Sequence, residues 1–147
     1  MSITERATKW LGTGMANDSM AREITMAIDA NTVGTVVRTT EAHTAADTLT
    51  AAESGSTHTS VGATGAVTLT LPAATVGLEF YFRVGAAREL RLDPNGSETI
   101  ALPSTGVAGA AGKYLTANAD GETVRLACTK AGGWSVFGYT GTWTAES

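Results

Sequence analysis

The sequence has little cysteine, little proline and little charge. Its 147 residues include one cysteine, Cys128, and three prolines. A single cysteine excludes an intrachain disulfide and any metal site built from several cysteines. Charged residues make up 16% of the chain, against about 25% in an average soluble domain. Uncharged polar groups must therefore cover much of the surface.

Long apolar runs and clusters of positive charge are also missing. No stretch approaches the eighteen or so apolar residues of a membrane-spanning helix, and residues 1–10 lack the apolar segment of a secretory signal. The net charge is −4, and nowhere do three basic residues follow one another. A nucleic-acid partner would require a basic surface. We therefore expect a chain made in the cytoplasm, with neither a nucleic-acid nor a membrane partner.

Threonine, serine and glycine dominate from Val33 onwards, where apolar residues recur at every second position. The alternation is clearest in residues 66–71, 79–84 and 123–129. Threonine suits strands because its β-branched side chain fits a pleated surface and its hydroxyl stays wettable. Turn signals between the segments predict a mainly β fold, an antiparallel β-sandwich or small barrel. They also predict one hairpin over about 88–102 and a closing hairpin over 123–139.

The first 32 residues follow a different pattern and form a predicted N-terminal arm with one short helix. Three apolar residues spaced four apart predict the helix over about 19–30, and an irregular arm precedes it. This apolar set either packs on the chain's own sheet or docks on a neighbouring subunit. We predict the following partner-binding residues: Trp10, Leu11, Met20, Ile24 and Ile28. The predicted division is thus an arm and helix over 1–32 and a β domain over 33–147.

Several motifs within residues 48–143 follow one another in a particular order. They are Thr-Leu-Thr-Ala-Ala-Glu-Ser-Gly at 48–55, Val-Thr-Leu-Thr-Leu-Pro-Ala-Ala at 67–74, Gly-Leu-Glu-Phe-Tyr-Phe-Arg-Val at 77–84, Leu-Arg-Leu-Asp-Pro-Asn-Gly at 90–96, Val-Arg-Leu-Ala-Cys at 124–128, Gly-Trp-Ser-Val at 133–136 and Gly-Thr-Trp at 141–143. In this order the chain resembles structural proteins of tailed-bacteriophage virions, especially capsid decoration (cement) proteins and fibre-associated β modules. The resemblance covers about two-thirds of the chain.

The resemblance implies a role in a viral particle. It implies a homotrimer in the virion, assembled in the host cytoplasm, that binds the major capsid protein or other virion proteins and stabilises the shell from outside. The alternative is a receptor- or glycan-binding module of a head or tail fibre, in which Tyr139 or Trp143 stacks on sugars. Because no heptad or triple-helical stalk is present, decoration is favoured.

The sequence offers little catalytic chemistry. His43 and Asp47 are four residues apart, but both histidines, His43 and His58, lie in stretches rich in threonine and serine. We interpret them as solvated residues of an exposed loop. No Gly-x-Ser-x-Gly motif is present. The sequence therefore predicts no enzyme, no catalytic residue and no cofactor, and a small secreted hydrolase is the least favoured alternative.

Three other features have simple structural interpretations. Cys128 alternates with apolar residues and should be a buried, inert thiol. Residues 118–122 have the spacing of a partial calcium loop, but the twelfth position is Thr129 rather than glutamate. An Asp-Gly hairpin turn explains them more simply, and no metal site is predicted. The glycine-rich residues 106–112 form either a mobile loop or a place where backbones approach closely.

Overall fold

The structure is a computed structural model that describes residues 38–147. The predicted arm and helix of residues 1–32 lie outside the described residues, as do the predicted partner-binding residues Trp10, Leu11, Met20, Ile24 and Ile28. Within residues 38–147, no helix has the length and apolar character needed to cross a membrane.

The described residues form two β-sheets. The first sheet contains β1 (Thr40–Ala42), β3 (Thr57–Thr59), β5 (Glu79–Arg83), β7 (Thr99–Ile100), β9 (Thr123–Lys130) and β10 (Gly133–Thr140). The second contains β2 (Asp47–Thr48), β4 (Val67–Thr70), β6 (Leu90–Asp93), β8 (Leu115–Ala117) and β11 (Thr144–Ala145). One turn of 3-10 helix, Ala51–Glu53, follows β2.

The first six strands alternate between the two sheets. Strands β1, β3 and β5 are parallel neighbours in the first sheet, and β2, β4 and β6 are parallel neighbours in the second. The chain therefore winds through three successive coils, each with one strand in either sheet. The hairpin of β9 and β10 completes the first sheet in the order β1-β3-β5-β9-β10-β7, and the second sheet has the order β11-β8-β6-β4-β2.

The predicted mainly β, two-sheet class is confirmed, but the expectation of purely antiparallel pairing is wrong. Both sheets are mixed. The hairpin predicted over 88–102 is also wrong, because β6 and β7 lie in different sheets and the Asp-Pro-Asn-Gly turn at 93–96 connects them. The closing hairpin of β9 and β10 is confirmed. Side-chain alternation has the same period in parallel and antiparallel strands, so it cannot distinguish them.

The alternating apolar residues of both sheets meet in one hydrophobic core. Inward positions along β4, β5, β6 and β9 are almost completely buried. Phe80 of β5 contacts Trp134 of β10 edge-on, with ring centroids 5.6 Å apart. The predicted burial of Cys128 is confirmed, and burial raises the pKa of its thiol. A thiol with a raised pKa carries little thiolate at neutral pH.

Two turn regions contact the rest of the chain closely. The carboxylate of Glu122, directly after the Asp-Gly turn, accepts hydrogen bonds from the backbone N–H groups of Asn118 (3.0 Å), Ala119 (2.8 Å) and Thr142 (2.6 Å). The turn predicted at Asp120 and Gly121 is therefore confirmed, but it is not the turn of a hairpin, because β8 before it and β9 after it lie in different sheets. In the glycine-rich loop, a Cβ on Gly109 would lie 2.7 Å from the carbonyl oxygen of Ile100. The close backbone approach considered for this loop thus occurs within the chain itself.

Candidate functional site

Two histidines lie together where the first coil stacks on the second. His58 is the central residue of β3, and its Cα is paired with Glu41 of β1 on one side and with Phe82 of β5 on the other. His43 follows β1, and its backbone N–H donates to the carbonyl oxygen of Thr59 at 2.8 Å. The parallel stacking of coils therefore brings together two histidines that are fifteen residues apart in sequence.

The expectation that these histidines are solvated residues of an exposed loop is wrong. His43 is 5% exposed and His58 is 0% exposed. The His43 and His58 ring centroids are 5.2 Å apart, and the His58 ring lies 5.8 Å from the rings of both Phe80 and Phe82. His58 occupies an inward position of β3, but its neighbours are threonines and serines. Because no apolar residues accompany His58 in β3, the sequence shows no alternation of apolar and polar residues there.

The two imidazoles belong to a continuous chain of polar contacts. Nδ1 of His43 lies 3.3 Å from Oδ2 of Asp47, the residue four positions later. Nε2 of His43 lies 2.9 Å from Nδ1 of His58, and Nε2 of His58 lies 2.7 Å from the hydroxyl of Ser56. That hydroxyl donates to the backbone carbonyl of Glu53. The chain thus runs from a half-exposed carboxylate through two buried rings to a backbone carbonyl.

The surroundings favour the neutral form of His58. Burial lowers the pKa of the His58 imidazole, and the neighbouring His43 lowers it further. The nearby Glu53 carboxylate is hydrogen-bonded by the hydroxyl of Thr50, which lowers its pKa. Buried imidazoles are costly to charge because a low-dielectric environment penalises the ion.

Glu41 completes a group of three possible metal ligands. One carboxylate oxygen of Glu41 and one ring nitrogen from each histidine lie within 4.8 Å of one another. Glu41 is exposed, whereas both histidines are buried. Within residues 38–147, no other group of three or more histidine, cysteine, aspartate and glutamate side chains has this spacing.

A second candidate site is a surface that we call the aromatic–arginine patch, made of Arg38, Tyr81, Arg125 and Phe137. The guanidinium of Arg38 lies 4.1 Å from the Tyr81 ring centroid. That of Arg125 lies 5.3 Å from the Tyr81 ring and 5.6 Å from the Phe137 ring. Glu79 contacts both arginines, at 3.7 Å for Arg38 and 2.6 Å for Arg125.

The patch includes one of the most exposed large apolar side chains of the described residues. Phe137 is 54% exposed, and the register between β9 and β10 shifts between Val136 and Gly138. Such a β-bulge re-aims a side chain relative to its neighbours. In the sequence, this irregularity is visible only at Phe137 and Gly138, which interrupt the alternation of inward apolar and outward polar residues along β10.

The two aromatic residues considered for sugar stacking differ in exposure. Tyr139 is 45% exposed and can meet a ligand. Trp143 is only 6% exposed, and its indole N–H donates to the carbonyl oxygen of Thr123 at 2.9 Å. The expectation that Trp143 stacks on a sugar is therefore wrong, since the ring packs into the core.

Comparison with known proteins adds no assignment. No protein-family model matches the chain, and no curated protein matches its sequence.

Proposed function

We propose that this protein is a bacteriophage capsid decoration (cement) protein that binds the outer capsid surface and stabilises the shell. Its partners are the major capsid protein or other virion proteins. It acts as a homotrimer in the virion, assembled in the host cytoplasm. The motif order of residues 48–143 supports this role. The observation that carries the proposal is the exposed aromatic–arginine patch on the strands of the first sheet.

The patch has the composition of a protein-binding surface. Tyrosine, phenylalanine and arginine are enriched at protein interfaces, whereas lysine and glutamate are depleted. Tyr81 and Arg125 lie on neighbouring strands, and Glu79 holds Arg125 in place through a 2.6 Å ion pair. Because the strand pairing and the ion pair already restrict these side chains, they lose little conformational entropy when a partner binds them.

Decoration needs no single tight contact. If several identical subunits contact a repeating shell, each weak contact is reinforced by the others. The apolar residues of the N-terminal arm, Trp10, Leu11, Met20, Ile24 and Ile28, remain the predicted second attachment region. Burial of about 400 Å² of apolar surface there would contribute about 10 kcal/mol before ordering costs.

A receptor- or glycan-binding module of a head or tail fibre is the second candidate. The exposed ring of Tyr139 favours it, because a flat aromatic face can stack on a sugar ring. The burial of Trp143 weakens it, since only one of the two aromatic residues considered for that role is accessible.

The location of the protein in purified phage particles tests the proposal. We expect quantitative mass spectrometry to find a copy number comparable with that of the capsomers, and we expect the protein to stay with tail-free heads. A few copies that separate with the tails would instead support the fibre module. If purified particles lack the protein, both functions are wrong.

Phe137→Ser should weaken binding to undecorated shells by at least about tenfold, since loss of an aromatic hot-spot residue costs about 2 kcal/mol or more and about 1.4 kcal/mol corresponds to tenfold. Thermal unfolding should be unchanged because the side chain is largely exposed. Val107→Ser is the matched control, for Val107 is also an exposed apolar residue but lies in the glycine-rich loop. Co-sedimentation with shells measures the effect. Equal binding by both variants would exclude the patch as the attachment surface.

A further inference from the structure

The contacts around the two buried histidines require a particular placement of protons. At one end, the Asp47 carboxylate can only accept, which favours a proton on Nδ1 of His43. At the other end, the Ser56 hydroxyl donates its one hydrogen to the carbonyl of Glu53. The same hydroxyl oxygen must then accept from Nε2 of His58. Each neutral imidazole has one N–H, so both ring protons are used in these outer contacts.

The two inner nitrogens therefore face each other as lone pairs. Nε2 of His43 and Nδ1 of His58 are 2.9 Å apart in a buried site, and two lone pairs at this distance repel. A cation between them removes the conflict, and it must be either an extra proton or a metal ion. Both rings are buried and His58 lies beside the rings of Phe80 and Phe82, so the extra proton would place a charge inside the core, which is costly. A metal ion instead binds neutral imidazoles.

We propose that Glu41, His43 and His58 bind a divalent transition-metal ion of the zinc class. The ligands are Nε2 of His43, Nδ1 of His58 and a carboxylate oxygen of Glu41, and water takes the fourth position. Two nitrogens and one oxygen suit Zn²⁺, whereas Mg²⁺ and Ca²⁺ prefer oxygen ligands only. Metal–nitrogen bonds of about 2.0–2.1 Å place the two nitrogens about 3.3 Å apart in a tetrahedral site. A small separation of the rings from 2.9 Å reaches that geometry.

The contacts of Asp47 with His43 and of Ser56 with His58 resemble the hydrogen bonds that hold metal-bound histidines in place. Metal-bound histidines commonly direct their second nitrogen to a carboxylate or another hydrogen-bond acceptor, which fixes the orientation of the ring. Asp47 has this role for His43, and the Ser56 hydroxyl has it for His58. The ion would join the three-residue edge strand β1 and the segment after it to β3. The site is independent of the proposed function in the virion.

Titration of the untagged full chain with Zn²⁺ after chelation tests the proposal. The chain has only two histidines, so NMR of the ring nitrogens reports on this site alone. By calorimetry we expect one ion per chain with a dissociation constant of about 1 μM or tighter, and no binding of Mg²⁺. The ¹⁵N resonances of Nε2 of His43 and Nδ1 of His58 should shift, while the other two ring nitrogens keep their protons.

Variants separate this site from adventitious surface binding. Glu41→Gln should weaken Zn²⁺ binding by at least about tenfold, because even loss of a hydrogen-bond partner of a metal ligand typically lowers metal affinity by about 10–100-fold. The fold should stay intact because Glu41 is exposed. Glu146→Gln is the matched control, since Glu146 is a carboxylate outside the group of three and lies near Lys113. Binding that is absent at about 100 μM Zn²⁺, or equal in both variants, overturns the proposal. A proton shared between the rings in the presence of excess Zn²⁺ overturns it too.

Discussion

Glu122→Ala is expected to lower the free energy of unfolding by about 3 kcal/mol, because it removes the acceptor of three backbone hydrogen bonds. Each hydrogen bond to a charged group contributes about 1.5–3 kcal/mol. The three contributions do not add fully, because they share one carboxylate. The carboxylate holds together the turn at Asn118 and Ala119 and the segment at Thr142. Its loss frees the C-terminal segment that positions Trp143. Urea unfolding followed by tryptophan fluorescence measures the change.

The effect of Glu122→Ala should depend on pH. Burial alone would raise the pKa of Glu122, but the three backbone N–H groups outweigh it and the pKa is lowered. The carboxylate's contribution to stability is therefore fully present above the unfolded-state pKa of about 4.3 and is lost as pH falls through the lower folded-state pKa. The difference between wild type and variant should be largest at neutral pH and should shrink in strong acid.

Glu146→Gln serves as the control for Glu122→Ala, because Glu146 makes only a 3.7 Å surface ion pair with Lys113. Such a pair contributes at most about 1 kcal/mol. If Glu122→Ala destabilises no more than this control at pH 7, the three hydrogen bonds do not anchor the C-terminal segment.

Gly85→Ala should destabilise the protein by about 2–4 kcal/mol, within the range for overpacking with backbone displacement. Gly85 lies two residues after the end of β5, and its N–H donates to the hydroxyl of Ser60 at 3.0 Å. A Cβ there would lie 2.6 Å from the backbone nitrogen of Val61 and 2.8 Å from its Cα. The obstacle is backbone of the preceding coil, so a side-chain rotation cannot relieve it.

Gly65→Ala is the matched control for Gly85→Ala. Gly65 also lies between strands, but nothing lies within 4 Å of a Cβ built on it and its φ is not positive. Alanine there should be neutral or stabilise by up to about 1 kcal/mol, because it restricts the unfolded chain. Thermal melts of the two variants at equal concentration make the comparison. Equal stability of both variants would mean that the coils do not stack tightly at Gly85.

Much of the strand content could be predicted from local pattern. Apolar and polar residues alternate clearly in the segments that form β4, β5 and β9, because one face of each strand lies in the core. The turn at Gly121 and the closing hairpin were predictable from their glycines. The order of the strands was not, because the period of two is the same in parallel and antiparallel sheets. Neither local pattern nor turn type reveals that β6 and β7 belong to different sheets.

The histidine site could not be predicted for a related reason. Its residues come from successive coils, and only the parallel register places Glu41 beside His58. His58 also lacks apolar neighbours that would identify its position as inward. The i, i+4 spacing of His43 and Asp47 was visible in the sequence, and the structure places these two side chains 3.3 Å apart. The spacing alone, however, is equally compatible with an exposed loop.

The position of the hairpin β9–β10 has a consequence for synthesis on the ribosome. Strands β1 to β6 pair with one another in two parallel sets, so these partners are made within a short stretch of chain. In contrast, β9 and β10 lie between β5 and β7 in the sheet, although both are made after β7. A nascent chain that stops before residue 123 therefore exposes the edge of β5. Open edges pair readily with other chains, so a ribosomal pause before residue 123 would favour aggregation between copies.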